Sequence, residues 1–196
     1  QKLRNHKSRV HCAGARPDRT STITHAVTKG LDPGIEMKES GVEWLGDIPS
    51  HWSAMRMSWL FGSISSGTTP DSKNAAYYGG PFNWVTTGEL RESAISSTSK
   101  TLSALALQDH SALKVYPPGS LLIAMYGATI GRLGTLATAA CTNQACCVFS
   151  SPQRIDTRYS YYSLWAARDH LIVLASGGGR ALPPRSGHGI YGYAAS

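Results

Sequence analysis

The chain has 196 residues, a hydrophobic content of 41% and a formal charge of +7 at pH 7. This length gives room for one domain with a substantial core. The longest apolar run is far shorter than the roughly 18 residues that a transmembrane helix needs. The first residues lack the apolar segment of a secretory signal, so a cytoplasmic location is the default expectation.

The positive charge is concentrated at the two ends of the sequence. Residues 1–39 carry 8 Lys/Arg against 4 Asp/Glu, residues 40–150 carry 6 against 6, and residues 151–196 carry 5 against 2. Because the central part is neutral, the overall charge alone is weak support for nucleic-acid binding.

The first part of the chain predicts one helix end. Residues 1–20 are polar, basic and without a periodic pattern. Apolar residues then recur at helical spacing, Lys29 falls in the last turn, Gly30 follows it and Pro33 lies just beyond. This order is typical of a helix C-terminus.

The next segments predict short elements separated by polar loops. Residues 31–52 have the composition of a loop-rich linker with large apolar anchors. Residues 55–64 predict a strand or a single helical turn, residues 82–87 a strand, and residues 103–113 a short helix.

The centre of the chain, residues 119–149, contains two continuous apolar runs. Residues 121–126 and 145–149 have no 3.6-residue spacing, which predicts strands buried on both faces. Glycines and hydrogen-bonding side chains lie between the runs, so we expect a packed β scaffold that presents a recognition surface. After it, Asp156 or Thr157 can cap a helix over residues 158–175, which glycines then end.

The four cysteines do not indicate a metal site. They form no CxxC pair, and Cys146 and Cys147 are adjacent, so they point to opposite faces of the predicted strand. We expect reduced thiols that act as small core side chains, and no metal or cofactor.

One catalytic sequence pattern is present, but its sequence context does not fit the corresponding site. Asp18 after a proline, with Glu36 and Lys38 further on, matches the PD…ExK signature of metal-dependent nucleases. Its context argues against this hypothesis, since Asp18 follows patternless sequence and Glu36 lies in a Gly/Pro-rich loop. Walker, GxGxxG, HExxH and GxSxG motifs are missing, and so is the Asn/Asp-Pro-Pro-Tyr/Phe motif of amino-methyltransferases.

Loop residues with hydrogen-bonding, basic or aromatic side chains are the candidates for a DNA-binding surface, because such groups suit base edges and phosphates. They are Thr68, Thr69, Lys73, Asn74, Tyr77, Tyr78, Thr86, Thr87, Arg91, Tyr126, Thr129, Arg132, Asn143 and Gln144. Composition alone is equally compatible with an ordinary solvated loop whose tyrosines cover the core.

Longer phrases carry a resemblance to a known family. The sequence contains ITHAVTKGLDP, SGVEWLGDIPSHW, SSGTTP, YYGG, FNWVTTGEL, GSLLIAMYGATIGRLG, TNQACC and LASGGG, in this order. Over about residues 22–179 it resembles the specificity (S) subunit of type I restriction-modification systems.

The resemblance implies an α+β fold: a single target-recognition domain with a mixed, strongly twisted β-sheet core and a few short helices, preceded by the end of a conserved helix. Residues 22–39 would be that helix end and a linker, and residues 40–179 the domain, similar to the second of the family's two. Such a domain binds one half of a bipartite site in double-stranded DNA. Catalysis would belong to the methyltransferase (modification) and restriction subunits, its partners.

The flanks depart from the family. Residues 1–21 and 180–196 replace the helices that would dock those partners, and both resemble translation out of frame. We therefore expect a fragment, with a non-functional or interaction-only remnant as the alternative to a DNA-binding domain and a nuclease as the third hypothesis.

Overall fold

A computed structural model describes residues 19–176 and 191–195. The α-helices of these residues are α1 (Arg19–Lys29), α2 (Met57–Leu60), α3 (Ala104–Asp109), α4 (Thr157–Ala166) and α5 (Arg168–Ser176). Their strands are β1 (Met37–Glu39), β2 (Asp47–Pro49), β3 (Trp52–Arg56), β4 (Phe61–Ser66), β5 (Tyr78–Val85), β6 (Ser93–Ile95), β7 (Thr101–Leu102), β8 (Leu121–Ala124), β9 (Leu133–Leu136), β10 (Ala140–Thr142), β11 (Cys146–Pro152) and β12 (Tyr191–Ala195). One-turn 3₁₀ helices occupy Ala75–Tyr77 and Thr87–Glu89.

The largest sheet has five strands in the order β4-β11-β8-β9-β6. Its pairs are antiparallel except for β9 and β6, which run parallel. Residues 121–124 and 146–149 of the two apolar runs lie inside this sheet, and all nine residues 121–124 and 145–149 are buried. The prediction of strands covered on both faces is confirmed for these residues, whereas Tyr126 lies beyond the end of β8 and is exposed.

The two faces of this sheet contact different layers. Leu121 and Ile123 of β8 pack with residues of α2, α4 and α5. Leu122 and Ala124 pack on the opposite side with residues of β5 and β10, which belong to a three-stranded sheet of order β10-β5-β7. Helix α3 covers the outer side of that second sheet. The predicted α+β fold, with mixed, twisted sheets and short helices, is confirmed.

The described cysteines behave as core side chains. Cys146 and Cys147 lie in clusters on opposite faces of the sheet, as their adjacency in a strand requires. Burial raises the pKa of Cys141 to about 11 and that of Cys146 and Cys147 to about 12, so all three remain protonated near neutral pH. Cys12 lies outside the described residues.

The prediction of a single helix over residues 158–175 is wrong. Helix α4 ends at its C-cap Ala167, and α5 starts at the next residue. The apolar spacing of Leu164, Ala167 and Leu171, which share one core cluster, continues through this break. The periodic pattern therefore could not indicate that the helix is interrupted.

The segments predicted as irregular contain regular structure. Helix α1 begins at Arg19, within the N-terminal flank, and β12, within the C-terminal flank, pairs antiparallel with β3. The linker contains β1 and β2, which pair with each other, and its anchors Leu45 and Ile48 are buried. Residues 1–18 and 177–190 of the flanks lie outside the described residues.

Asp156, one of the two predicted caps, is the N-cap of α4, and we expect its replacement to destabilise the protein. Its Oδ1 accepts hydrogen bonds from the backbone N–H groups of Arg158 (2.8 Å) and Tyr159 (3.0 Å). Asp156→Ala should lower the free energy of unfolding by about 1 kcal/mol, the usual cost of losing an N-cap. Urea unfolding measures it. Asp156→Asn keeps an acceptor oxygen and serves as the control, so an equal loss in both variants would contradict the capping role.

Candidate nucleic-acid interface

Four loops leave the two sheets at a single edge, which we call the loop edge. β4 ends beside the start of β11, β8 ends beside the same point, and β9 and β6 begin there. β5 and β10 run parallel and end together, and β10 then leads directly into β11. The loops over residues 67–77, 86–92, 125–132 and 143–145 therefore start or finish at the loop edge.

Backbone and side-chain hydrogen bonds join these loops. The hydroxyl of Thr69 donates to the Oε1 of Gln144 over 2.6 Å. The N–H of Asn143 donates to the carbonyl of Val85 over 3.0 Å, and that of Met125 donates to the carbonyl of Ala145 over 2.9 Å. The short 143–145 loop is thus the centre to which the other loops are tied.

The structure brings most of the sequence-predicted candidates together at the loop edge. Gln144, Thr69, Tyr126, Arg91 and Arg132 are exposed there. Five further candidates on the same loops are half-buried, namely Thr68, Thr86, Thr87, Thr129 and Asn143.

Four candidates lie further along the chain, where the first loop turns back to the start of β5. Tyr77 donates to a carboxylate oxygen of Asp109 over 2.9 Å, beside α3. Tyr78, the first residue of β5, donates to the carbonyl of Pro70 over 2.9 Å and packs against Trp84, so its ring covers the segment that contains Thr68 and Thr69. Lys73 and Asn74 precede them in the same returning segment. The sequence predicts these residues together with the others because they are close along the chain.

The electrostatics of the loop edge favour an anionic ligand. The Oε2 of Glu89 accepts the N–H of Thr86, and its Oε1 accepts both the N–H and the hydroxyl of Ser99, over 2.7 to 2.9 Å. Arg91 and Arg132 are exposed instead. Arg91 donates from Nε to the carbonyl of Gly88 over 3.3 Å, whereas among the described residues the guanidinium of Arg132 has no hydrogen-bond or ion-pair partner. The Glu89 carboxylate is therefore occupied by the protein, and the Arg132 guanidinium is open to a ligand.

Sequence reasoning missed a second set of polar residues, below the 125–132 loop. Arg168 of α5 forms an ion pair with Glu92 over 2.5 Å and donates from Nε to the carbonyl of Gly131 over 2.9 Å. Tyr161 of α4 donates to the other carboxylate oxygen of Glu92 over 3.1 Å. Burial and the Glu92 carboxylate raise the pKa of Tyr161 to about 12, so its hydroxyl remains a donor. Glu92 and Arg168 are 76 residues apart, and no local pattern connects them.

The nuclease hypothesis gains no support from the described residues. Asp18 lies outside them, while Glu36 and Lys38 are exposed on or beside the small β1–β2 sheet. In the described ranges, no group of three or more His, Cys, Asp or Glu side chains is placed to hold a metal ion.

The same ranges contain no helix long and apolar enough to cross a bilayer.

Solved structures of one class of protein share this fold. The HsdS subunit from Thermoanaerobacter tengcongensis superposes with a TM-score of 0.63 at 16% identity, over 89% of this chain and 37% of that subunit. The type I restriction-modification S subunit from M. genitalium gives a TM-score of 0.56 at 12% identity, over 90% of this chain and 42% of the other. At these identities the likeness establishes the fold.

The sequence comparison indicates the same class. The chain is 27% identical over 130 residues to the specificity subunit of the type I restriction enzyme MjaIX from Methanocaldococcus jannaschii. The matched region is 65% of this chain and 29% of that subunit, and no family model matches the chain. The resemblance to type I specificity subunits that the sequence predicts is therefore confirmed, for a stretch well short of those proteins' full length.

Proposed function

We propose that the chain is a sequence-specific DNA-binding domain that recognises one half of a bipartite target of a type I restriction-modification system. The observation that carries this proposal is the convergence of four loops at the loop edge, with exposed Arg, Gln, Thr and Tyr side chains. Such side chains can contact phosphates and the edges of bases in the major groove. The similarity to specificity subunits in both sequence and fold supports it.

We propose that this chain selects the DNA sequence and that methyltransferase and restriction subunits are its partners, which would carry out the chemistry. The lack of nuclease context around Glu36 and Lys38, and of methyltransferase motifs in the sequence, supports this assignment. The proposed domain comprises residues 40–179, preceded by a helix end and linker at 22–39.

Selection from a library of random DNA duplexes tests the function. We expect enrichment of one short motif by the full chain at low salt, and a steep loss of affinity as salt is raised, because phosphate contacts release counterions. The neutral centre of the chain implies weak binding by this chain alone. Enrichment of no motif, with or without a methyltransferase subunit, would contradict the proposal and favour a non-functional remnant.

Arg132→Ala is the sharpest single substitution at the loop edge. Its guanidinium is exposed on the 125–132 loop and free to contact a base or phosphate. We expect the variant to bind the enriched duplex more weakly by about 1 to 3 kcal/mol, the range for a good base contact. Fluorescence anisotropy measures the dissociation constant. Arg154→Ala is the control, because it removes an equal charge beyond the far end of β11. Equal affinities of the Arg132 variant and the unmodified chain would exclude Arg132 from the interface.

A further inference from the structure

The backbone of Arg132 is held on both sides. The carbonyl of the preceding residue, Gly131, accepts from Arg168 Nε over 2.9 Å. The N–H of the following residue, Leu133, donates to Glu92 Oε1 over 3.3 Å. Arg132 itself donates its N–H to Thr129 and accepts from Ala124 through its carbonyl, over 3.0 and 2.9 Å. The peptide groups around this residue are therefore fixed, while its side chain is exposed.

The two residues that hold this backbone also hold each other. Arg168 and Glu92 form the 2.5 Å ion pair, and the N–H of Glu92 donates to the carbonyl of Leu133 over 3.0 Å. Glu92 adopts the left-handed conformation, with φ of 58°, which is rare for a residue with a side chain and persists where surrounding contacts define it.

Arg168 connects the 125–132 loop to the core. Arg168 lies between Ala167 and Leu171, which are buried in the cluster under the five-stranded sheet. Gly131 has φ of 76°, and a Cβ atom there would lie 3.0 Å from the Cγ of Arg168. The arginine stem thus packs directly under the loop, and the helix that carries it is anchored by core contacts.

We infer that Glu92 and Arg168 are a positioning pair that sets the direction in which Arg132 extends towards DNA, and through it the base preference of the domain. This inference rests on the proposed function. An ion pair with two anchored partners restricts the loop before DNA binds, so less conformational freedom is lost on binding. Neither residue needs to contact DNA for this effect.

A double-mutant cycle in DNA binding tests the positioning role. The variants are Arg168→Gln, Arg132→Ala and their combination in the full chain, with Arg154→Gln as a charge-matched control at the other end of the sheet. The probe is the duplex enriched by the unmodified chain. We expect Arg168→Gln to weaken binding about tenfold when Arg132 is present and less than twofold when it is absent, a coupling typical of residues that act together.

An equal loss in both backgrounds would overturn the inference, because a purely structural role or a direct phosphate contact by Arg168 would not depend on Arg132. Thermal unfolding of each variant shows whether it is folded, and Glu92→Gln, which is isosteric, replaces Arg168→Gln if that variant does not fold. A broadened base preference at one position in a repeated selection is expected for either variant. If the unmodified chain enriches no duplex, the proposed function fails and the inference fails with it, whereas enrichment without coupling rejects the inference alone.

Discussion

Gly67→Ala should lower the free energy of unfolding by about 3 kcal/mol or more, because the new methyl group would overlap backbone atoms. A Cβ atom at this position would lie 1.8 Å from the carbonyl oxygen of Thr142 and 2.7 Å from its carbonyl carbon. The N–H of Gly67 also donates to the Thr142 hydroxyl over 3.1 Å. Relief of the overlap would move the first loop away from β10 and break this bond.

Urea unfolding of the full chain measures this effect. Gly34→Ala is the matched control, because Gly34 is exposed, lacks a positive φ and has Asp32 Oδ1 at 3.5 Å as the nearest atom to a new Cβ. The control should change stability by no more than about 0.5 kcal/mol. Similar unfolding midpoints for the two variants would show that the close approach of Gly67 to Thr142 is not required.

Phe149→Ala should cost about 4 kcal/mol, within the range for removing a buried aromatic side chain. Phe149 is 1% exposed in β11, and its ring centroid lies 5.5 Å from that of Phe61 in β4. The substitution would leave a cavity between the five-stranded sheet and helices α2, α4 and α5, where the rigid strands limit how far the surrounding side chains can close the cavity.

Trp59→Ala provides the comparison for Phe149→Ala. Trp59 lies in α2 and is 65% exposed, so its removal creates little buried empty volume. We expect a change of no more than about 1 kcal/mol, measured by the same urea titration. A loss of unfolding free energy as large as that of Phe149→Ala would mean that burial of the side chain does not determine the loss of stability.

Local sequence predicted those parts of the fold whose signal is local. The runs around Ile123 and Val148 are apolar on both faces because both faces are covered, and Gly30 ends α1 with φ of 82°. Strands β1 and β2 have three residues each, and the pairing partners of β1, β2 and β12 are set by tertiary contacts that composition does not reveal. The break at Ala167 was hidden because the apolar spacing continues through it.

The candidate site was predictable in its residue types and much less in its geometry. The sequence predicts Arg132, Gln144 and Thr69 as polar loop residues between strands, and the sheet topology places them together. It predicts Tyr77 and Tyr78 for the same reason, but the Tyr77 hydroxyl is bonded to Asp109 of α3 and that of Tyr78 to the Pro70 carbonyl. Whether any of these residues contacts DNA stays a prediction.

The connections at the loop edge also limit where the chain can accept inserted residues. Residues 143–145 connect a strand of one sheet to a strand of the other, so an inserted residue would shift the two layers against each other. Asp71, Ser72 and Lys73 are exposed at the tip of the first loop, where extra residues cost little. Under the DNA-binding function proposed above, a new specificity would arise by substitution on the 125–132 loop, while the packing between the two sheets stays unchanged.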